Sequence, residues 1–354
     1  MISLYSTPRF KSNRHFKKFE GHNTMEFLID YGIFAAKFLT VAGVILLGIG
    51  ALVLLVIGRS RGAHEDHIEV KILNDKYTSM TLALKSAILP AKAFKQELKR
   101  QKNDRKQRDK QKSPDTSKSR VFVCRFDGDI RASAVTSLQE EVTAILSVAA
   151  DSDEVVAVIT SPGGVIHGYG LAASQLQRIR DRGISLTAAV DKVAASGGYM
   201  MACVAEKIVA APFAIIGSIG VVAQMPNFNR FLKKHDIDYE EITAGEFKRT
   251  LTVFGENTDA DRKKFREEIE DAHELFKEFV ADNRPSVDIA AIATGEYWYG
   301  KRALERKLID ELCTSDDYLY KRSEEADVFE VSYVRKRSIV DKFFGHATKL
   351  FNSV

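Results

Sequence analysis

The sequence is poor in cysteine. Its three cysteines, Cys124, Cys203 and Cys313, have no metal-ligand spacing and cannot all pair, so neither a disulfide framework nor a zinc site is indicated. Each is expected to be a small buried hydrophobe. No internal repeat is visible, and nothing in the composition marks a chain that fails to fold. Strong net charge is absent as well. The formal charge is +4 over 354 residues, and it is unevenly spread, with a dense basic stretch from Lys99 to Lys118 and an acidic one from Asp151 to Glu154. The basic stretch carries no interleaved aromatic residues to stack on bases. It is read as a charged spacer, and nucleic acid is not expected as a partner.

Long apolar runs are also few, and the one from Phe38 to Gly58 decides the environment. It contains no charged residue and matches the roughly 20 apolar residues that a helix needs to cross a bilayer core. A cleaved leader would have a shorter apolar core and a small-residue cleavage site, whereas this run leads into Arg59-Ser-Arg61, so an uncleaved anchor is favoured over a leader or a buried core helix. Arg9, Lys11, Arg14, Lys17, Lys18 and Lys37 precede the span, while Arg59, Arg61 and Lys71 follow it among Glu65, Asp66 and Glu69. The positive-inside rule then leaves the N-terminus in the cytoplasm and exports the bulk of the chain. Met25, at the start of the apolar approach, is an alternative initiation point that an intact mass would decide.

The pattern divides the chain into a cytoplasmic segment (1–37), a transmembrane helix (38–58), a helical and basic linker (59–120), a folded domain (121–335) and a C-terminal tail (336–354). Scattered apolar positions from Glu65 to Ala93 fit a helix interrupted by Pro90. Beyond Val121, strands are expected over 121–126, 155–160, 185–190, 208–210 and 215–222, and helices over 133–150, 170–180 and 196–205. That alternation implies a mainly parallel sheet with helical crossovers. Thr258 opens a long helix ending by Pro285, whose Phe265, Ile269, Ala272, Phe276 and Phe279 form one apolar stripe, suited to the core or to a subunit interface.

Ser196 lies in Val193-Ala-Ala-Ser-Gly-Gly-Tyr199, where a strand gives way to a helix. Small neighbours leave its hydroxyl approachable and let a substrate carbonyl lie against backbone N–H groups. The same residues also fit a helix N-cap followed by close-packing glycines. What favours the nucleophile is a second glycine doublet in Ser161-Pro-Gly-Gly164 at the preceding strand end, because ligands of open α/β sheets collect at the carboxyl ends of strands. Gly163, Gly164 and Gly197 are thus candidate oxyanion donors. A hydroxyl also needs a base. His167 and His235 have no evident orienting carboxylate. A lysine with a pKa lowered by burial can substitute, and Lys248 in Gly245-Glu-Phe-Lys-Arg-Thr250 is preferred over Lys192. Cys203 is a weaker rival nucleophile. Gly168-Tyr-Gly-Leu-Ala-Ala173, with Asp191 further on, imitates a dinucleotide fingerprint but does not begin at the strand end, so nucleotide binding is not expected. No cofactor or metal is implied.

Taken in order, Ser-Pro-Gly-Gly, Ala-Ser-Gly-Gly-Tyr, Ile216-Gly-Ser-Ile-Gly-Val221, Gly-Glu-Phe-Lys and Trp298-Tyr-Gly-Lys-Arg-Ala303 resemble the signal peptide peptidase A family of serine-lysine peptidases, most closely its half-length inner-membrane members. The resemblance runs from the anchor to roughly Arg335. It implies a Clp protease/crotonase-like parallel-sheet spiral fold, α/β in class, preceded by one transmembrane helix and built into homo-oligomers. It also implies Ser196 as nucleophile, Lys248 as general base, and Gly163, Gly164 and Gly197 as oxyanion donors, in a single-pass protein of the bacterial inner membrane with a periplasmic catalytic domain. Its partners would be peptide substrates, apolar ones above all, and the lipid bilayer. One departure is Lys307, where the family often has glycine. Two other classes share parts of the pattern: a crotonase-like acyl-CoA enzyme and a non-catalytic membrane scaffold.

Overall fold

A computed structural model describes residues 24–60, 66–111, 119–245 and 247–335; the segment 1–23 and the tail 336–354 lie outside them. The chain divides into two units, Met1–Glu65 and Asp66–Val354. In the first, helix α1 (Thr24–Ser60) contains the expected span. Among the described residues its window Tyr31–Gly48 has a mean hydropathy of 1.8 and contains no buried residue, and it is long and apolar enough to cross a bilayer.

The second unit opens with β1 (His67–Ile72), α2 (Leu73–Ile88), α3 (Ala91–Gln111) and β2 (Arg120–Asp127). There follow α4 (Val135–Leu146), β3 (Glu154–Thr160), α5 (Ile166–Arg180), β4 (Ser185–Val190), β5 (Val193–Ala195), α6 (Gly197–Ala202), β6 (Lys207–Ala210) and β7 (Ile215–Gly217). Next come α7 (Asn229–Lys234), α8 (Asp259–Asn283), α9 (Ile289–Ile292), β8 (Tyr297–Tyr299), α10 (Gly300–Glu305), β9 (Glu311–Leu312), α11 (Ser315–Glu325) and β10 (Asp327–Val334).

Seven strands form the main sheet in the order β1-β10-β2-β3-β4-β6-β9. All neighbours are parallel except β1, which runs antiparallel to β10. Both faces are covered, and the side-chain alternation shows it. Phe122, Cys124, Phe126, Val155, Ala157 and Ile159 join one core with Leu138, Val142, Tyr169, Leu176 and Tyr199 from α4, α5 and α6. Val121, Val123, Val156 and Val158 join the other with Leu73 of α2 and Leu319 of α11. Continuous apolar strands are what a sheet buried on both faces needs, and each fully buried large aliphatic side chain contributes about 1.5–3 kcal/mol. A second sheet, β5-β7-β8, holds three strands, with β5 and β7 parallel and β7 and β8 antiparallel.

Two local expectations differ from the structure. The start of the expected 65–93 helix is strand β1, because Ile68 packs on the core while β10 supplies its hydrogen-bond partners. The linker assigned to 59–120 therefore lends a strand to the same sheet as the domain expected from 121. Pro90 does separate α2 from α3. The strand expected over 215–222 stops at Gly217, where Gly217 and Ser218 adopt φ of 103° and 52° and the chain leaves the ladder after Gly217. The long helix is present as α8, opened by a capping box in which the Thr258 hydroxyl accepts the Asp261 N–H.

Candidate active site

Thr160 ends β3, and the chain runs on into Ser161-Pro-Gly-Gly164. Ser161 still behaves as a strand residue: its N–H donates to Val193 O at 2.8 Å and its carbonyl accepts the Ala195 N–H at 3.0 Å. This bridge carries the small sheet on the end of the large one and sets the two glycine doublets side by side. Gly163, at φ 87°, packs so closely that a Cβ there would lie 2.6 Å from Ala195 O, 2.7 Å from Gly197 N and 2.8 Å from Ser196 Cβ. Only a residue without a side chain fits that approach and that backbone.

Ser196 links β5 to α6 at φ 51° and ψ −118°. An N-cap serine has extended backbone and a hydroxyl that accepts a helix N–H. Ser196 has neither feature: its φ is positive and its side chain makes no capping bond. The backbone is instead pinned by Ser196 N–H donating to Gly217 O at 2.7 Å and by Met200 N–H donating to Ser196 O at 2.9 Å. Such backbone costs about 1–3 kcal/mol and persists where surrounding contacts impose it. The half-buried hydroxyl is left on a sharp strand-to-helix turn, the geometry that presents a nucleophile. The N–H groups of Gly164 and Gly197 make no hydrogen bond among the described residues, whereas Gly163 N–H donates to Ser161 Oγ at 3.1 Å.

The remaining sequence motifs buttress this turn. Gly217, whose carbonyl receives the Ser196 amide, packs on Trp298, since a Cβ would sit 3.0 Å from its ring. Ser218 N–H donates to Glu296 O at 2.7 Å. The segments Ile216–Val221 and Trp298–Ala303 thereby meet behind Ser196.

Lys248 is exposed, in a turn closed by its own N–H donating to Gly245 O at 3.2 Å. The segment between β7 and α8 folds back on itself through Phe228 N–H to Val253 O and Asn227 Nδ2 to Thr252 O and Gly255 O. The Lys248 side chain is exposed and takes part in no side-chain hydrogen bond or ion pair among the described residues. The same segment exposes Val222, Phe231, Ile242 and Phe247, with Ile242 95% accessible.

Other candidates are used up elsewhere. Cys203 is fully buried, and burial pushes its thiol up to about 12, far from a thiolate at neutral pH. Lys192 and His167 are exposed, and His235 packs against the Phe231 ring. Asp191 accepts the N–H and hydroxyl of Ser315 at the start of α11, and Gly168-Tyr-Gly170 lies inside α5, so the dinucleotide pattern has neither its turn nor its ribose carboxylate. Among the described residues no group of three or more His, Cys, Asp or Glu side chains converges. Sequence reasoning missed the Phe126-Asp-Gly-Asp-Ile130 loop, which runs directly against the glycine turn: Val165 N–H donates to Ile130 O at 2.8 Å. The signal available was a glycine between two aspartates at a strand end.

Comparison with known proteins adds the decisive observation. Residues 26–176 match the model of "Peptidase family S49 N-terminal" and residues 178–329 that of "Peptidase family S49". A protein of Haemophilus influenzae named "Probable protease SohB" is 48% identical over 90% of this chain and 92% of its own. The chain belongs to peptidase family S49. Its relatives within the family include a "Probable protease SohB" of Buchnera aphidicola subsp. Acyrthosiphon pisum, 55% identical over 66% of this chain and 69% of that protein. A "Putative protease SohB" of Buchnera aphidicola subsp. Baizongia pistaciae is 43% identical over 93% of this chain and 97% of that protein. Family membership makes the chain a serine peptidase, and the boundary between the two family models falls inside α5, between the two glycine doublets.

Proposed function

We propose that this chain is a membrane-anchored serine endopeptidase that uses Ser196 and Lys248 to cleave apolar peptides, such as signal-peptide remnants or misfolded envelope proteins. The observation that carries the reading is the positive-φ turn at Ser196 with the α-carbon of Gly163 against it. In the proposed mechanism neutral Lys248 takes the proton of the Ser196 hydroxyl as Oγ bonds to the scissile carbonyl carbon. The resulting oxyanion is received by backbone N–H groups of the Gly163–Gly164 turn and of Gly197, a role in which one donor is typically worth about 10²–10³ in turnover. Lysine then returns the proton to the leaving amine, and the acyl-enzyme is hydrolysed by water that the same lysine activates.

A lysine acts as a base near neutral pH only when burial disfavours its charge. Lys248 is exposed on the isolated chain, so in this reading its water is displaced by bound substrate or by a second copy of the chain, and the exposed apolar segment around it supports a homo-oligomer. Exposed Ile130, Val165 and Ile166 beside the glycine turn support apolar substrates. The two-sheet arrangement, with β5 continuing from the end of β3, supports a Clp protease/crotonase-like spiral, and α1 supports a single-pass anchor in the bacterial inner membrane with the catalytic domain on the periplasmic side.

The test is casein cleavage by the detergent-solubilised full chain. Ser196→Ala and Lys248→Ala are each expected to reduce turnover by at least about 10³-fold, as in other nucleophile–base pairs. Full activity in the lysine variant would sink the dyad.

A further inference from the structure

Beneath the glycine turn lies a closed row of hydrogen bonds. Tyr169 Oη stands 2.8 Å from the carbonyl oxygen of Asp129 and 2.5 Å from Ser161 Oγ, and Ser161 Oγ stands 3.1 Å from Gly163 N. Both hydroxyl-bearing residues are fully buried. The proton positions follow from the two ends. An amide N–H can only donate and a carbonyl oxygen can only accept, so Gly163 donates to Ser161, Ser161 donates to Tyr169, and Tyr169 donates to Asp129. Any other order would set two acceptors against each other or leave a buried donor unmade, at a cost of about 1–3 kcal/mol.

Each end of the row is itself fixed. The Asp129 carboxylate accepts the Ser133 N–H at 2.8 Å and the Ser133 hydroxyl at 2.7 Å, which anchors its loop to the start of α4. Gly128 roofs the two hydroxyls so tightly that a Cβ would sit 2.5 Å from Tyr169 Oη. The Tyr169 ring also fills the space against the Gly197 α-carbon and the edge of Phe126. One side chain thus touches the residue after Ser196 and the hydroxyl beneath the glycine turn.

We infer that Ser161 and Tyr169 are positioning residues for the peptidase reaction: their hydroxyls tie the Gly163–Gly164 turn to the Asp129 loop and so hold the oxyanion-binding backbone in register with Ser196. Neither touches substrate, and with its proton committed and no solvent access Ser161 is not a nucleophile. This inference rests on the peptidase reading of Ser196.

The test uses the full-length detergent-solubilised protein, one fluorogenic peptide substrate and the matching peptide aldehyde. The aldehyde carbon bonds to Ser196 Oγ, the serine proton passes to the base, and the new oxyanion samples the turn. Ser161→Ala is expected to lower kcat about tenfold or more, a fraction of the loss seen when an oxyanion donor itself is removed. It should weaken aldehyde inhibition by a similar factor with KM within about twofold, the pattern of a contribution made only in the transition state. Tyr169→Phe keeps the ring and is expected to move the same two quantities in the same direction. The double variant should be no worse than about the poorer single one, because both cut one row. Unchanged kcat and aldehyde affinity in both variants, a change confined to KM or melting temperature, or tighter aldehyde binding on release of the Gly163 N–H would each overturn the inference. Activity surviving in Ser196→Ala would instead overturn the reading beneath it.

Discussion

Gly163 packs against Ser196, with no room for a side chain between the α-carbon of the first and the β-carbon of the second: a methyl group on Gly163 would stand 2.8 Å from Ser196 Cβ. The neighbours it would also strike, Ala195 O and Gly197 N, are main-chain atoms that cannot rotate away. Gly163→Ala is therefore expected to cost at least about 10²-fold in kcat, the scale of a lost oxyanion donor. Steady-state kinetics on the fluorogenic peptide measures it, and a variant with ordinary kcat would show that the turn tolerates displacement.

Cys203 caps the C-terminal end of α6, its thiol raised to about 12 by burial and its Sγ donating to Met200 O. Iodoacetamide at pH 8 is expected to leave activity intact, since thiolate and access are both lacking. Cys203→Ala should retain kcat within about twofold while losing about 1–2 kcal/mol of stability through lost packing. Rapid inactivation by the reagent would contradict the buried placement.

Glu141 gives the domain a pH dependence of definite sign. The residue is 5% exposed on α4, one carboxylate oxygen accepts the Tyr333 N–H, the other has no partner among the described residues, and burial raises its pKa to about 7. A folded-state pKa above the unfolded value means that the neutral acid is the form favoured on folding. Its contribution is full below about pH 4.5 and is lost as pH rises through about 7. Glu141→Gln removes the charged form. Its melting temperature is expected to match wild type near pH 5 and exceed it by a few degrees at pH 8, about 2–4 °C per kcal/mol for a domain of this size. A difference that stays constant with pH would rule the carboxylate out as its source.

Lys307 follows the C-terminus of α10 at φ 60°, with its N–H donating to Leu304 O and the Leu308 N–H to Ala303 O. These bonds close the helix in the left-handed conformation that glycine adopts without strain. The departure from glycine noted in the sequence thus marks a strained cap. Lys307→Gly is expected to stabilise the protein by about 1 kcal/mol, the penalty a Cβ carries there. Urea denaturation of the two proteins checks the sign.

Much of the architecture was legible because it depends on local pattern. The apolar strands 121–126 and 155–160, the capping threonine of α8 and the two glycine doublets all declare themselves over a few residues. Ser196 itself was ambiguous, since small residues before a helix serve a cap or a nucleophile equally well, and the positive φ that argues against the cap is imposed by distant contacts rather than by local pattern. The hydroxyl row was invisible because Ser161, Tyr169 and Asp129 meet through the crossing of β3, α5 and the loop before α4. Strand β1 was missed for a related reason: an edge strand of mixed polarity is specified by its partner β10, far away in sequence.

That pairing has a consequence for synthesis. His67 faces Val334 across the β1–β10 ladder, and β10 lies between β1 and β2. The strand nearest the anchor can be seated only after the strand at the far end of the domain has been made. A chain halted before Asp327 leaves both β1 and the edge of β2 unpaired, so this side of the open sheet is completed only when its last strand is made, with the first strand waiting on it.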